Sequence, residues 1–143
     1  MSAQYKVMNY FGKYTDKVKE IFSKEQVLFA YIFGSQVSGN TGKLSDIDIA
    51  VYFNENMSKS AMFNRKLSIM AEFSLLLKRD DIDVVILNDA YPLLEHRIIK
   101  QGEVIFSSDE KRRIDYEVKA VMRYLDFKPY IEKYTKETLY GGQ

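Results

Sequence analysis

Apolar and polar positions along this chain follow two periods. From 27 to 33 the run Val-Leu-Phe-Ala-Tyr-Ile-Phe is apolar and rich in aromatics, the pattern of a buried strand, and Gly34-Ser35 ends it. Residues 36–45, with two glycines plus Ser, Asn and Thr, read as a loop. Asp46–Phe53 alternates at its start and then turns apolar, which predicts a second strand. Ile82–Leu87 predicts a third, ended by Asn88-Asp89, and Val104–Phe106 a short fourth.

Helical spacing fills the intervals. Residues 4–23 carry Tyr5, Met8, Tyr10, Phe11, Val18, Ile21 and Phe22 among lysines, an amphipathic helix that Gly12 weakens in the middle. Ser58 or Ser60 caps a helix running to about Arg79, with an apolar stripe of Met62, Phe63, Leu67, Met70, Phe73 and Leu77. A helix from about Tyr91 to Lys100 is stopped by Gly102. Residues 109–126 form a long helix with Ile114, Val118, Val121, Met122 and Leu125 on one face. Pro129 interrupts it, and a last amphipathic piece runs to about Leu139.

The strand–helix–strand unit from 46 to 87 implies a parallel pair. The two strands before that helix are joined by a loop alone, so they are expected to be antiparallel. The fold class is therefore α/β (α+β): a small mixed sheet packed with helices and a long C-terminal helical tail. The 143 residues make one domain, 1–143, with a core at about 25–107 and the tail at about 108–143.

Composition narrows the chemistry. Hydrophobic residues are 46% and charged residues 29% of the chain, a globular balance. Lys+Arg is 21 against Asp+Glu 20, a net charge of +1, and the lack of a basic excess speaks against direct nucleic-acid binding. With no cysteine, a disulfide framework, a thiolate metal site and a thiol nucleophile are excluded. The single histidine, His96, excludes a His-rich site and reads as a surface residue beside Glu95 and Arg97, so any metal must be held by oxygen. The N-terminal stretch has no apolar signal region, and the longest strongly apolar run, Val27–Phe33, is too short to span a bilayer. A cytoplasmic protein with no membrane partner is expected. Lys111, Arg112 and Arg113 are flanked by acids and read as a solvated helix start. The 11 tyrosines and 9 phenylalanines are core and interface material.

Asp46 and Asp48 stand two apart at the mouth of a strand, so their carboxylates share a face while Ile47 and Ile49 point into a core. Like charges so placed repel, and a hard divalent cation removes that penalty. A lone Asp-x-Asp is common at strand edges, but antiparallel pairing would lay Gly34-Ser35 beside Asp46. Parallel pairing would bring Asp83 to the same end of the sheet, and alternation selects Asp83 over the loop residues Asp80 and Asp81. In phosphatases of the haloacid-dehalogenase type an apolar strand precedes the Asp-x-Asp. Here the apolar residues follow it.

The run GSQVSGNTGKLSDID, a Gly-Ser, ten residues and then Asp-x-Asp, resembles the signature of the minimal nucleotidyltransferases of the DNA polymerase beta-like superfamily. Asp83 matches the family's third acid. Pro92 to Phe106 is similar to its closing helix and strand. The tail from Tyr124 to Tyr134 resembles members paired with HEPN toxins, the MntA-type antitoxins of HEPN–MNT pairs.

The resemblance implies a nucleotidyltransferase fold and a magnesium-dependent protein adenylyltransferase. Asp46, Asp48 and Asp83 are its catalytic and metal-ligating acids, with two Mg2+ ions and ATP as substrate. Gly34, Ser35, Lys43 and Ser45 form its nucleotide-binding set. The implied partner is a cognate HEPN toxin, AMPylated on a tyrosine, in a homo- or hetero-oligomer. Many relatives carry arginines just after Gly-Ser; here those places hold Gln36 and Ser38, with Gly39 kept and Lys43 left to supply a positive contact. The alternatives are an antitoxin that neutralises by binding alone, and an aminoglycoside-type enzyme with a small-molecule acceptor, which usually needs an extra domain.

Overall fold

A computed structural model describes residues 11–34 and 47–139 of the chain. A 3-10 turn at Gly12–Tyr14 leads into α1 (Thr15–Lys24), then β1 (Val27–Phe33), β2 (Ile47–Phe53), α2 (Lys59–Leu77) and β3 (Ile82–Ile86). A 3-10 turn at Leu87–Asp89, α3 (Pro92–Gln101), β4 (Glu103–Ser107) and α4 (Glu110–Leu139) follow. The strands lie in the order β3-β2-β1-β4. β1 is antiparallel to both neighbours, and β2 and β3 are parallel, with α2 as the crossover between them. The expected mixed sheet is therefore present.

β1 is apolar along its whole length because helices cover both faces of the sheet. Ala30 and Ile32 join one core with Val18 and Phe22 of α1 and Ile69 and Phe73 of α2. Phe29 and Tyr31 join the other with Ile98 of α3 and Tyr116 and Ala120 of α4. In the first core Phe22 meets Phe73 edge-on with ring centroids 5.3 Å apart, a favoured aromatic geometry.

Buried polar groups fasten the second layer. Glu95 is 2% exposed. It accepts from the Tyr116 hydroxyl at 2.8 Å and from Arg123 Nε and Nη2 at 2.8 and 3.0 Å. Burial, with the Glu95 carboxylate beside it, pushes the Tyr116 phenol far above its ordinary range, so it stays a donor. Tyr31 donates to Glu117 at 2.6 Å, and Glu117 is held by Arg113. Arg112 pairs with Glu55. The basic run at 111–113 thus opens a helix, but two of its members brace the fold. His96 is half-buried and stacks on Tyr124 with centroids 3.7 Å apart, fixed between α3 and α4 instead of lying free on the surface.

Several expectations need correction. The first helix does not pass through Gly12, which takes a left-handed φ of 50°; α1 begins at Thr15, whose hydroxyl donates to Gly12 O at 2.6 Å. Residues 4–10 of that expected helix lie outside the described residues. Ser58 does cap α2, accepting from Ala61 N at 3.1 Å, and the helix ends one residue before Lys78 at φ 55°. The line that α2 buries is Met62, Ile69 and Phe73, and Phe63 and Leu67 are 51% and 47% exposed. They sit a quarter turn or more around the helix, so the expected stripe had merged two adjacent lines.

Pro129 does not interrupt α4, which is continuous. This stretch of the helix is exposed, so water satisfies the carbonyl that proline leaves unpaired, and the fixed φ of proline suits a helix. The face of Ile114, Val118, Val121, Met122 and Leu125 is open, since the fold takes the opposite side of α4 at Tyr116 and Ala120. Gly102 ends α3 with an extended backbone, not a left-handed one. A Cβ there would lie 2.5 Å from Ile98 O and 2.9 Å from Ile32 O, so tight packing demands the glycine. Among the described residues, no helix is long and apolar enough to cross a membrane.

Candidate active site

β2 and β3 pair in register, with Ile47 opposite Ile82, Asp48 opposite Asp83 and Ile49 opposite Val84. Neighbouring strands lie about 4.8 Å apart, and partners in one row point to the same face. Ile47, Ile49, Ile82 and Val84 belong to the core beneath α1 and α2. Asp48 and Asp83 therefore stand side by side on the other face, in the same file as Ala50 and Val85. Asp48 is half-buried and Asp83 exposed, so the pair has one side against the protein and one toward solvent.

β1 supplies the third wall. Phe33 is the antiparallel partner of Asp48, and the chain leaves the sheet at Gly34 with φ 88°. A Cβ built on Gly34 would lie 2.5 Å from Asp48 Oδ2. Backbone and carboxylate thus approach as closely as a missing side chain allows. Gly34→Ala is expected to lose most of the chain's activity by displacing Asp48, and to lower stability by about 1–3 kcal/mol through the strained φ. A thermal melt read beside an activity assay would check both, and a fully active alanine variant would contradict the close approach.

The nearby acids are not equivalent. Asp81 turns to Arg79, whose Nε lies 2.6 Å from Oδ1; that hydrogen bond holds the Asp81 carboxyl below its usual range. Its backbone carbonyl accepts from Ile47 N at 3.0 Å, closing the mouth of the parallel pair. Asp80 and Asp81 are loop residues, as expected. Ser35, Lys43, Ser45 and Asp46 lie outside the described residues, so the structure brings together Asp48, Asp83 and Gly34 from the expected set. Among the described residues no group of three metal-ligating side chains is gathered. The two carboxylates fit a hard divalent cation in donor type, and Asp46 is the expected third ligand.

A cavity of about 740 Å³ opens at the opposite end of the sheet, beyond the C-terminal ends of β2 and β3. Its walls include Tyr52, Glu55, Lys59, Arg112, Tyr116 and Arg123. Sequence reasoning missed it because these residues come from separate segments with no shared motif. Arg112 and Arg123 there are paired with Glu55 and Glu95, so part of its charge is already internally satisfied. The paired acids, at the other end of the sheet, mark the candidate site.

Comparisons with known proteins bear on the family and the fold. The polymerase beta nucleotidyltransferase domain matches residues 16–111. The protein adenylyltransferase MntA of Aphanizomenon flos-aquae (strain 2012/KM1/D3) is 30% identical over 80 residues. That match covers 52% of this chain and 53% of the relative, so it spans about half the relative's length. A toxin–antitoxin crystal structure with AMP-PNP superposes with a TM-score of 0.71 at 21% identity, covering 87% of this chain and 97% of that one. The MNT antitoxin complex with the tri-AMPylated HEPN toxin of Shewanella oneidensis gives 0.64 at 19% identity, covering 87% and 94%. At these identities the two structures show a shared fold.

Proposed function

This chain belongs to the polymerase beta nucleotidyltransferase family, and from that premise we propose that it is an antitoxin of the MntA type. In this reading it transfers AMP from ATP to a tyrosine hydroxyl of a cognate HEPN toxin in the cytoplasm. The observation that carries the reading is the register of Asp48 against Asp83 beside a glycine at φ 88°, where an added Cβ would meet the Asp48 carboxylate. Similarity to an adenylyltransferase and a fold shared with MNT antitoxins support the choice of acceptor.

Asp46, Asp48 and Asp83 would hold two magnesium ions. Such ions, when bound, neutralise the charge of the triphosphate and of the departing pyrophosphate. The remaining work belongs to the chain. Gly34 lets the backbone come close to the phosphates, and Ser35 offers them a hydroxyl and an amide. Lys43 and Ser45 complete the phosphate contacts. The acceptor tyrosine oxygen forms a bond to the alpha-phosphorus while the bond from that phosphorus to the bridging oxygen breaks. Pyrophosphate leaves with that oxygen, and Asp83 takes the tyrosine proton. Positioning and charge neutralisation supply nearly all of the acceleration in such transfers.

One feature favours a second reading. Gln36 and Ser38 stand where many relatives carry arginine, which suits an antitoxin that only covers its toxin. The deciding experiment incubates the purified chain with Mg-ATP and its toxin and measures the toxin's intact mass. A gain of one or more AMP units on a tyrosine is expected. A toxin neutralised at unchanged mass would reject transfer.

A further inference from the structure

α4 has two working faces. Tyr116 and Ala120 are buried against the fold. On the opposite face Ile114, Val118, Val121, Met122 and Leu125 are 38–59% exposed. Apolar residues on both sides of a helix are the pattern of a helix covered on both sides. The exposed face also has order at its ends. Lys111, Val118, Leu125 and Glu132 follow each other at intervals of seven, close to two turns, and form one column about 30 Å long. Lys111 and Glu132 are exposed, and neither has an ion pair among the described residues.

We propose that this face of α4 is the contact of a homodimer, in which α4 of a second copy packs antiparallel across it. A two-fold axis near Val121 and Met122 lays Val118 on Leu125 of the other copy. The same axis sets Lys111 of each copy against Glu132 of the other, twice by symmetry. A parallel pair would instead oppose lysine to lysine and glutamate to glutamate, so the end charges choose the direction. Five half-exposed apolar side chains from each copy remove on the order of 1,000 Å² from water, the lower threshold for a biological interface. The face points away from the fold, because the buried line of α4 lies on the other side of the helix, so the second helix has room. This contact is independent of the reaction assigned above.

Sedimentation of the chain alone at tens of micromolar should give twice the 16.7 kDa mass. Leu125→Glu should give a monomer with unchanged helical circular dichroism, since position 125 is exposed. Lys111→Glu should weaken the dimer about tenfold, and Lys111→Glu combined with Glu132→Lys should restore it. The chain has no cysteine, so direction can be read chemically. Val118→Cys mixed with Leu125→Cys should cross-link on oxidation, whereas each variant alone should cross-link poorly. A monomeric chain, a dimer indifferent to Leu125→Glu, or efficient self-cross-linking of Val118→Cys would each overturn the proposal. A chain that is monomeric alone but loses toxin binding on Leu125→Glu would overturn it in favour of a heterologous partner.

Discussion

Asp48→Asn is expected to lower nucleotide transfer by a factor of about 100–10,000 while leaving the fold intact. The reaction moves strongly charged groups, and removing one carboxylate forfeits several kcal/mol of charge stabilisation, with each ~1.4 kcal/mol worth tenfold in rate. The fold has little to lose. Asp48 is half-buried, sits in a row with another acid, and keeps its shape as asparagine. Relief of like-charge repulsion offsets part of any lost hydrogen bonding. Transfer of labelled AMP to the co-purified toxin, read beside a thermal melt, checks both halves. Asp46→Asn is expected to behave the same way. Full activity in Asp48→Asn would remove the paired-acid site as the seat of the reaction.

The second large effect is stoichiometric. If the chain transfers AMP, a small amount with Mg-ATP should inactivate a large molar excess of toxin, and the toxin should stay inactive once the chain is removed. Asp83→Asn should abolish this turnover but still allow equimolar binding, since Asp83 is exposed at the strand mouth and carries no part of either core. The argument is one of mass action: a covalent mark outlasts its maker, whereas a bound block follows the concentration of the blocker. Protection that needs one chain per toxin, ignores ATP and survives Asp83→Asn would assign the chain to pure occlusion. The acids weigh against that outcome, because a row of carboxylates on one sheet edge is costly without a cation and an occluder has no use for it.

Strands were the most legible part of the sequence. Val27–Phe33 has the expected bounds, and β2, described from Ile47, ends at Phe53 as expected. Both pairing directions followed from the lengths of the connections. The site was legible for the same reason: period-two alternation assigns Asp48 and Asp83 to one face once the parallel register is known. Helix faces were less legible, because spacing shows that residues share a side without showing whether that side is covered. Ile114, Val118 and Leu125 share one side of the last helix, as the spacing shows, and that side is exposed. Pro129 was misread because the rule against proline presumes an environment in which the lost hydrogen bond goes unmet. The Glu95 network was invisible, since its partners at 116 and 123 belong to another helix and no local motif joins them.

The crossover that builds the site also sets when it can exist. Asp48 and Asp83 are 35 residues apart in sequence and meet only when β3 docks beside β2. On the ribosome the chain emerges from its N-terminus at about 5–20 residues per second, so β2 and its acid appear seconds before their partner strand. During that interval the sheet edge that will carry the acids is open. Parallel pairing across a long connection is also among the slower steps of folding. A nascent chain therefore lacks the paired acids, and one released before residue 83 never acquires the pair. On the function proposed above, premature termination yields a fragment without the acids that transfer requires.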